Sequence, residues 1–234
     1  MGPEERPPVR FVLGAWDDGR RLDVCRGGQD SSMTERAFIG DIHGCLQALD
    51  GMLAALETYR VNEMVFLGDY INKGPDSAGV LSRLIHRSHT SNTTLLRGNH
   101  EAALLESIER ADLTQFLKMG GAATIRSYVG RDVGADVFAD FFNAVPPEHL
   151  RAIRQMGINY RIGGVVARHE PRGLRAFGRF AITAHRPTGQ RPKLGFRSAS
   201  IDTGCGDDGG RLTAFLWPTR RYLQVDSEGN LVHH

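Results

Sequence analysis

Three times within its first hundred residues the chain leaves a short apolar run through a glycine followed at once by Asp or Asn. The first run ends in Gly40-Asp41-Ile42-His43-Gly44, the second in Gly68-Asp69-Tyr70-Ile71-Asn72-Lys73-Gly74, the third in Gly98-Asn99-His100-Glu101. Apolar runs this short, bounded by polar clusters, read as buried strands, here Ala37–Gly40, Met64–Gly68 and Thr93–Arg97. Between them Cys45–Tyr59 carries Leu46, Leu49, Met52, Leu53 and Leu56 at helical spacing, and Ser77–His89 reads the same way. A β-α-β-α-β order predicts neighbouring strands whose carboxyl ends converge, the place where open α/β sheets build ligand sites.

Further helices are expected at Glu101–Glu109, Gln115–Tyr128, Val133–Asn143 and Glu148–Gln155, the last entered through Pro146-Pro147. The character then changes to strands, at Asn159–Ile162, Val165–Arg168, Ala181–Ala184, Ser200–Asp202, Leu212–Trp217, Tyr222–Val225 and Leu231–His233. A front half of alternating strands and helices followed by a strand-rich back half implies an α/β fold, two sheets packed face to face with helices outside. Residues 1–32, rich in Pro, Gly, Arg and Asp, read as a disordered arm or a non-native extension upstream of a start at Met33, leaving 33–234 as one domain.

Composition excludes little else. The 234 residues suit one α/β domain, and a net charge of +2 gives no global argument for nucleic acid or an anionic membrane as partner. The three cysteines are widely spaced and odd in number, which favours a reducing cytoplasm over a disulfide framework. No apolar stretch approaches the roughly 18 residues of a membrane span.

The converging loops would deliver Asp41, His43, Asp69, Asn99 and His100 to one place. Each burst alone is commonly a turn or a helix cap; three in order are not. Oxygen and imidazole donors in this mixture suit borderline divalent ions such as Mn, Fe or Zn. A shared carboxylate, Asp69, can bridge two ions about 3.5–4 Å apart, a spacing that clamps a phosphoryl group. Two ions need further ligands, and Val165–Arg168 and Ile182–Ala184 each run into a histidine, His169 and His185.

GDIHG, GDYINKGPDS and LLRGNHE resemble the GDxHG, GDxVDRG and GNHE signature of calcineurin-like, PPP-type metallophosphoesterases, most closely the bacterial Ser/Thr protein phosphatases. The likeness extends over residues 36–226, including Ile201-Asp202-Thr203-Gly204-Cys205 and Gly209-Gly210-Arg211-Leu212-Thr213-Ala214. It implies an αββα sandwich of two mixed sheets. It also implies one ion on Asp41 and His43, a bridging Asp69, and a second ion on Asn99, His169 and His185. His100 would serve the leaving oxygen as general acid or orient the attacking hydroxide, with Asn72 as its partner, and Lys73 and Asn99 would contact the phosphate. The expected reaction is hydrolysis of a phosphorylated Ser, Thr or Tyr side chain, or of a small phosphoester, by a hydroxide held between two divalent ions, Mn first. Cleavage of a symmetrical dinucleoside polyphosphate and a catalytically weakened metal-binding scaffold are the alternatives. Neither nucleic acid nor membrane is an expected partner, and oligomeric state is left open.

Three departures qualify the likeness. Asn72-Lys73 stands where the family has Asp-Arg, so an amide that can accept from the imidazole replaces a charge, and a point cation replaces a fork. His169 is followed by Glu-Pro, and His185 sits in Ala-His-Arg-Pro. Only 15 residues separate the two histidines, so a family insert carrying a second substrate-binding Arg is missing. Arg168, Arg172, Arg175, Arg179 and Arg186 could replace it, with nothing in the sequence to choose among them.

Overall fold

The structure, a computed structural model, describes residues 35–59, 61–131 and 133–233, together with the backbone of Val24–Cys25. The expected arm at residues 1–32 therefore lies outside the described residues, apart from that two-residue strand, β1.

Five strands form the sheet on which the three bursts sit. β2 (Arg36–Ile39), β3 (Glu63–Phe66) and β4 (Thr93–Leu95) run parallel, as strands joined by helices must, and all three reach the site with the same end. β10 (Leu212–Trp217) lies antiparallel beside β2, and β11 (Tyr222–Val225) beside β10. The second sheet has the order β1-β5-β6-β7-β9-β8. In it β5 (Tyr160–Ile162) and β6 (Val165–Arg168) make a hairpin, and β6, β7 (Phe180–Thr183) and β9 (Ser198–Ser200) run parallel. β8 (Lys193–Leu194) is an antiparallel edge strand.

The expected sandwich of two packed mixed sheets with flanking helices is present. Phe38, Val65, Leu67, Leu96 and Phe215 from one sheet meet Tyr160, Val165, Ala167, Phe180, Ile182 and Ala199 from the other, all at or near full burial. Edge-on Phe38 and Tyr160 (5.6 Å between centroids) and stacked Phe180 and Phe215 (5.6 Å) anchor this layer. The other face of the five-stranded sheet carries the helices α1 (Leu46–Glu57), α2 (Ser77–Thr90), α3 (Asn99–Arg110), α4 (Thr114–Lys118), α5 (Gly121–Val129), α6 (Val137–Ala144) and α7 (Pro147–Gln155). Each of these sends its buried apolar residues into one core with Ile39, Phe66 and Ala214. Helix cladding is thus one-sided among the described residues. None of these helices is long and apolar enough to cross a membrane.

Several boundaries differ from the sequence reading, each for a local reason. The helix expected over Gln115–Tyr128 is two helices, because Gly120 takes a left-handed φ of +82° that ends α4 and starts α5 at a new angle. The helix expected from Val133 begins at Val137, where the Asp136 side chain accepts from Ala139 N at 3.0 Å. β9 precedes its expected position at Ser200–Asp202: Ile201 N adds one more bond to Thr183 O (2.9 Å) before the chain turns at Asp202. Leu231 makes only an isolated bridge with Val225, so no strand forms at Leu231–His233. β8 had no counterpart in the sequence reading.

Candidate metal centre

The loops after β2, β3 and β4 are bound to one another before any ion is considered. The Asp69 carbonyl accepts from Ile42 N (3.0 Å) and His43 N (2.9 Å), which locks the first burst onto the second. Glu101, fully buried, locks the second onto the third: its carboxylate accepts from Gly98 N (2.9 Å), Asp69 N (2.9 Å), Tyr70 N (2.8 Å) and Ile71 N (3.3 Å). Gly98 is required where it stands, since a Cβ there would lie 2.4 Å from the Asp69 backbone nitrogen. His43, Asp69, Asn72, Lys73 and His185 all hold positive φ without being glycine. Such strain persists where the surrounding structure over-determines it and gathers at functional sites.

The predicted residues come together in two groups that share Asp69. Ligand atoms of His43, Asp69 and His100 lie within 4.8 Å of one another, and so do those of Asp69, His169 and His185. In the first group, His43 Nε2 is 3.8 Å from Asp41 Oδ2 and 4.0 Å from Asp69 Oδ2, while its Nδ1 bonds to Ile71 O at 3.0 Å. That bond assigns the proton to Nδ1 and leaves Nε2 as a lone pair facing the carboxylates, the usual arrangement of a ligating imidazole. In the second group, Asn99 Oδ1 lies 2.8 Å from both His169 Nε2 and His185 Nδ1. His169 Nε2 is 3.1 Å from Asp69 Oδ2 and 3.2 Å from His185 Nδ1. The buried Nδ1 of His169 has no hydrogen-bond partner and stands 3.7 Å from Asp41 Oδ1. Lone pairs packed this closely need protons or a cation between them. The donor set therefore fits divalent cations, with Asp69 common to both groups.

Electrostatics of the site point the same way. Burial, then the neighbouring Asp69, raises the Asp41 carboxyl well above the ordinary range. Burial lowers His43 to about 4, so it is a neutral donor at pH 7. Burial would lower His169 too, but its bond to Asp69 and the nearby carboxylates win and raise it to about 9. Asp69 answers in kind: burial would raise its carboxyl, and the contacts with His169 hold it below the ordinary range instead. Burial and Asp69 together push Glu101 up to about 7. Asp41, Asp69 and Glu101 thus gather buried carboxylates around the imidazoles, an arrangement that favours a cation among them.

Asn72 acts differently from the sequence expectation that its amide accepts from the imidazole. Its Oδ1 accepts from Thr124 Oγ1 (2.8 Å), and its Nδ2 donates to Met119 O (3.1 Å) while sitting 2.7 Å from His100 Nδ1. A flipped amide would set two oxygens against each other at Met119, so Asn72 is the donor and His100 Nδ1 the acceptor. The His100 proton then lies on Nε2, 3.8 Å from Asp69 Oδ2. Burial lowers the His100 pKa and keeps the ring neutral. Lys73 reaches the rim, where Nζ pairs with Asp207 Oδ2 at 3.0 Å.

Sequence reasoning passed over Glu101, Thr124, Asp202 and Asp207. Glu101 belongs to a quoted motif, and the acid at the third residue of a helix was its only signal. Asp202 is buried beside the site with its carboxyl raised by burial, and its Oδ1 accepts from Gly204 N at 2.9 Å.

The sequence model of the calcineurin-like phosphoesterases matches residues 36–181. A serine/threonine-protein phosphatase 2 of Escherichia coli is 38% identical over 84 residues, 36% of this chain and 37% of that protein. A symmetrical bis(5'-nucleosyl)-tetraphosphatase of Wigglesworthia glossinidia brevipalpis is 43% identical over 69 residues, 29% of this chain and 25% of that protein. The matched stretches thus span well under half of these curated relatives. A crystal structure of a candidate diadenosine tetraphosphatase superposes with a TM-score of 0.60 at 21% identity, covering 83% of this chain and 94% of that one. That last likeness concerns the fold.

Proposed function

The chain belongs to the calcineurin-like phosphoesterase family, and on that premise we infer that it is a metal-dependent hydrolase of phosphate monoesters acting on phosphorylated protein side chains. The observation that carries the reading is Asp69, whose carboxylate is common to both groups of ligand atoms. Asp41, His43 and Asp69 would hold one ion, and Asp69, Asn99, His169 and His185 the other. Manganese suits the mixed oxygen and imidazole set, with iron and zinc as alternatives. When bound, such a pair supplies charge neutralisation for the phosphoryl oxygens and a water activated near neutral pH.

The protein's own groups do the remainder. Lys73 exchanges Asp207 for a phosphoryl oxygen, gripping it as a point charge without the fixed fork of an arginine. His100 presents Nε2–H to the leaving oxygen, and Asn72 holds the ring in that tautomer. A neutral imidazole hydrogen-bonds a leaving group well but transfers its proton poorly, since burial and an uncharged partner both oppose the imidazolium. Turnover should therefore depend steeply on leaving-group acidity.

The 43% identity to a symmetrical bis(5'-nucleosyl)-tetraphosphatase supports a second substrate class on the same site. The deciding experiment measures release of p-nitrophenol from its phosphate with and without Mn²⁺, then compares a phosphopeptide panel with diadenosine tetraphosphate. Metal-dependent turnover with phosphopeptides preferred supports the reading, and preference for the dinucleotide replaces it with the second. Stoichiometric metal uptake without turnover means a scaffold protein. Asp69→Asn should lose both the second equivalent of metal and turnover, and full activity in that variant defeats the shared-carboxylate assignment.

A further inference from the structure

The six-stranded sheet turns Tyr160, Val165, Ala167, Phe180, Ile182 and Ala199 to the inter-sheet core. Strand alternation and register then put Val166, Arg168, Ala181, Thr183, Ser198, Ser200 and Lys193 on its opposite face, mostly polar towards β9 and β8, where the helices of the other sheet have no counterpart among the described residues. At the end of β7 and β9 this face holds a cavity of about 390 Å³. Its polar lining is Thr183, Ser200 and Thr188 with two cations, Arg186 and Lys193, and Pro171 closes one side. Arg186 directly follows His185, and Pro171 is the second residue after His169, so the cavity begins beside the second ligand group. Neither cation forms an ion pair within the described residues. The segment between His169 and Ser198 holds six arginines and one lysine against one carboxylate, Glu170. Four of the five arginines that the sequence leaves equally eligible to replace a missing substrate cation lie in this segment, and Arg186 among them lines this cavity.

Beside the cavity runs β8, the outermost strand of the sheet, followed by Phe196 at 87% exposure. A strand edge offers backbone donors and acceptors to another extended chain, which a peptide can use and a nucleic acid cannot. We propose that this cavity is a subsite for an acidic side chain flanking the phosphorylated residue of a peptide substrate, with Arg186 and Lys193 binding the carboxylate while the peptide backbone lies along β8. The subsite rests on the phosphoprotein reading above. It deepens that reading by naming the sequence the enzyme selects.

The test compares kcat/KM for paired phosphopeptides, one with glutamates on both sides of the phosphorylated residue and a twin with alanines. The wild type should favour the acidic peptide by about fivefold or more, which two partly exposed ion pairs can supply. In Arg186→Ala/Lys193→Ala the ratio should fall towards one, and in Lys193→Glu it should move towards a lysine-flanked peptide. Because the ratio is taken within each variant, a general loss of activity does not disguise the outcome. A wild type without preference, or a double variant that keeps it, overturns the subsite. Fluorescence anisotropy with a labelled acidic peptide carrying a non-hydrolysable phosphonate reads binding without turnover. Ester hydrolysis with no flank preference sinks the subsite alone. Binding that depends on Arg186 and Lys193 without hydrolysis of any ester keeps the subsite and sinks the enzymatic reading. Displacement of the peptide by a 5′-phosphorylated oligonucleotide of higher affinity overturns the peptide assignment.

Discussion

Replacing Glu101 by glutamine changes one oxygen for one NH₂ and should unfasten the site. In the native chain Oε2 accepts from Asp69 N and Gly98 N, and Oε1 from Tyr70 N and Ile71 N, with no part of the side chain exposed. A glutamine can keep one pair. Its NH₂ must then face the other two N–H groups, leaving two buried donors unpaired at about 1–3 kcal/mol each. Removing a buried charge returns part of that, since burial pushes the carboxyl up to about 7 and ionisation near neutrality is costly. A net loss of about 2–4 kcal/mol remains, or about 5–15 °C in Tm for a domain of this size. The assay is thermal unfolding of metal-free Glu101→Gln beside the wild type, followed by metal titration of the folded variant. Affinity should drop as well, because the lost bonds hold the Asp69 backbone. A Tm within a degree of wild type, with metal affinity intact, would refute the claim that this carboxylate fastens the three loops.

Four further outcomes follow from the geometry. Asn72→Asp should put a negative charge 2.7 Å from the imidazole in place of the amide and favour the imidazolium; phosphoserine hydrolysis should rise about tenfold or more while p-nitrophenyl phosphate barely responds, and equal effects on both would deny His100 its place at the leaving group. Asp207→Asn should free Lys73 and lower KM more than it changes kcat at low ionic strength, with an unchanged KM showing that the exposed pair does not compete with substrate. Folding raises His169 from its ordinary 6.5 to about 9, so the folded metal-free chain binds that proton more tightly than the unfolded one. The resulting stabilisation is complete below pH 6.5 and gone above about 9, so Tm of metal-free protein should decline across that window and His169→Asn should flatten the decline. Metal binding at pH 7 should release about one proton from the same ring, measurable by calorimetry in buffers of different ionisation enthalpy.

The parts of the fold that were legible in the sequence are those where one physical pattern acts alone. Arg36–Ile39, Leu212–Trp217 and Tyr222–Val225 are buried runs with clear ends, and Leu49, Met52 and Leu56 repeat at helical spacing. The six proposed metal-binding residues were legible because glycines and strand ends mark them in order. What escaped depends on contacts distant in sequence. β8 is two exposed residues with no periodicity, held by pairing with Ala199 and Ser200. The donor role of Asn72 is dictated by Thr124 and Met119, roughly fifty residues away. Arg186 stood apart from its neighbours only once the cavity wall was formed.

The groups that would hold the ions come from opposite sides of one seam. Asp41, Asp69 and Asn99 ride on the helix-clad sheet, whereas His169 and His185 ride on its partner. The interlocked rings of Phe38, Tyr160, Phe180 and Phe215 therefore act as a spacer that sets the ligand gap from a distance. Trimming one of them would let the two layers slide or close, and the gap would mistune without a single ligand being changed. On the proposed assignment, metal grip would depend on apolar positions outside the ligand groups, because the pairing of those rings fixes how far apart the two sets of donors stand.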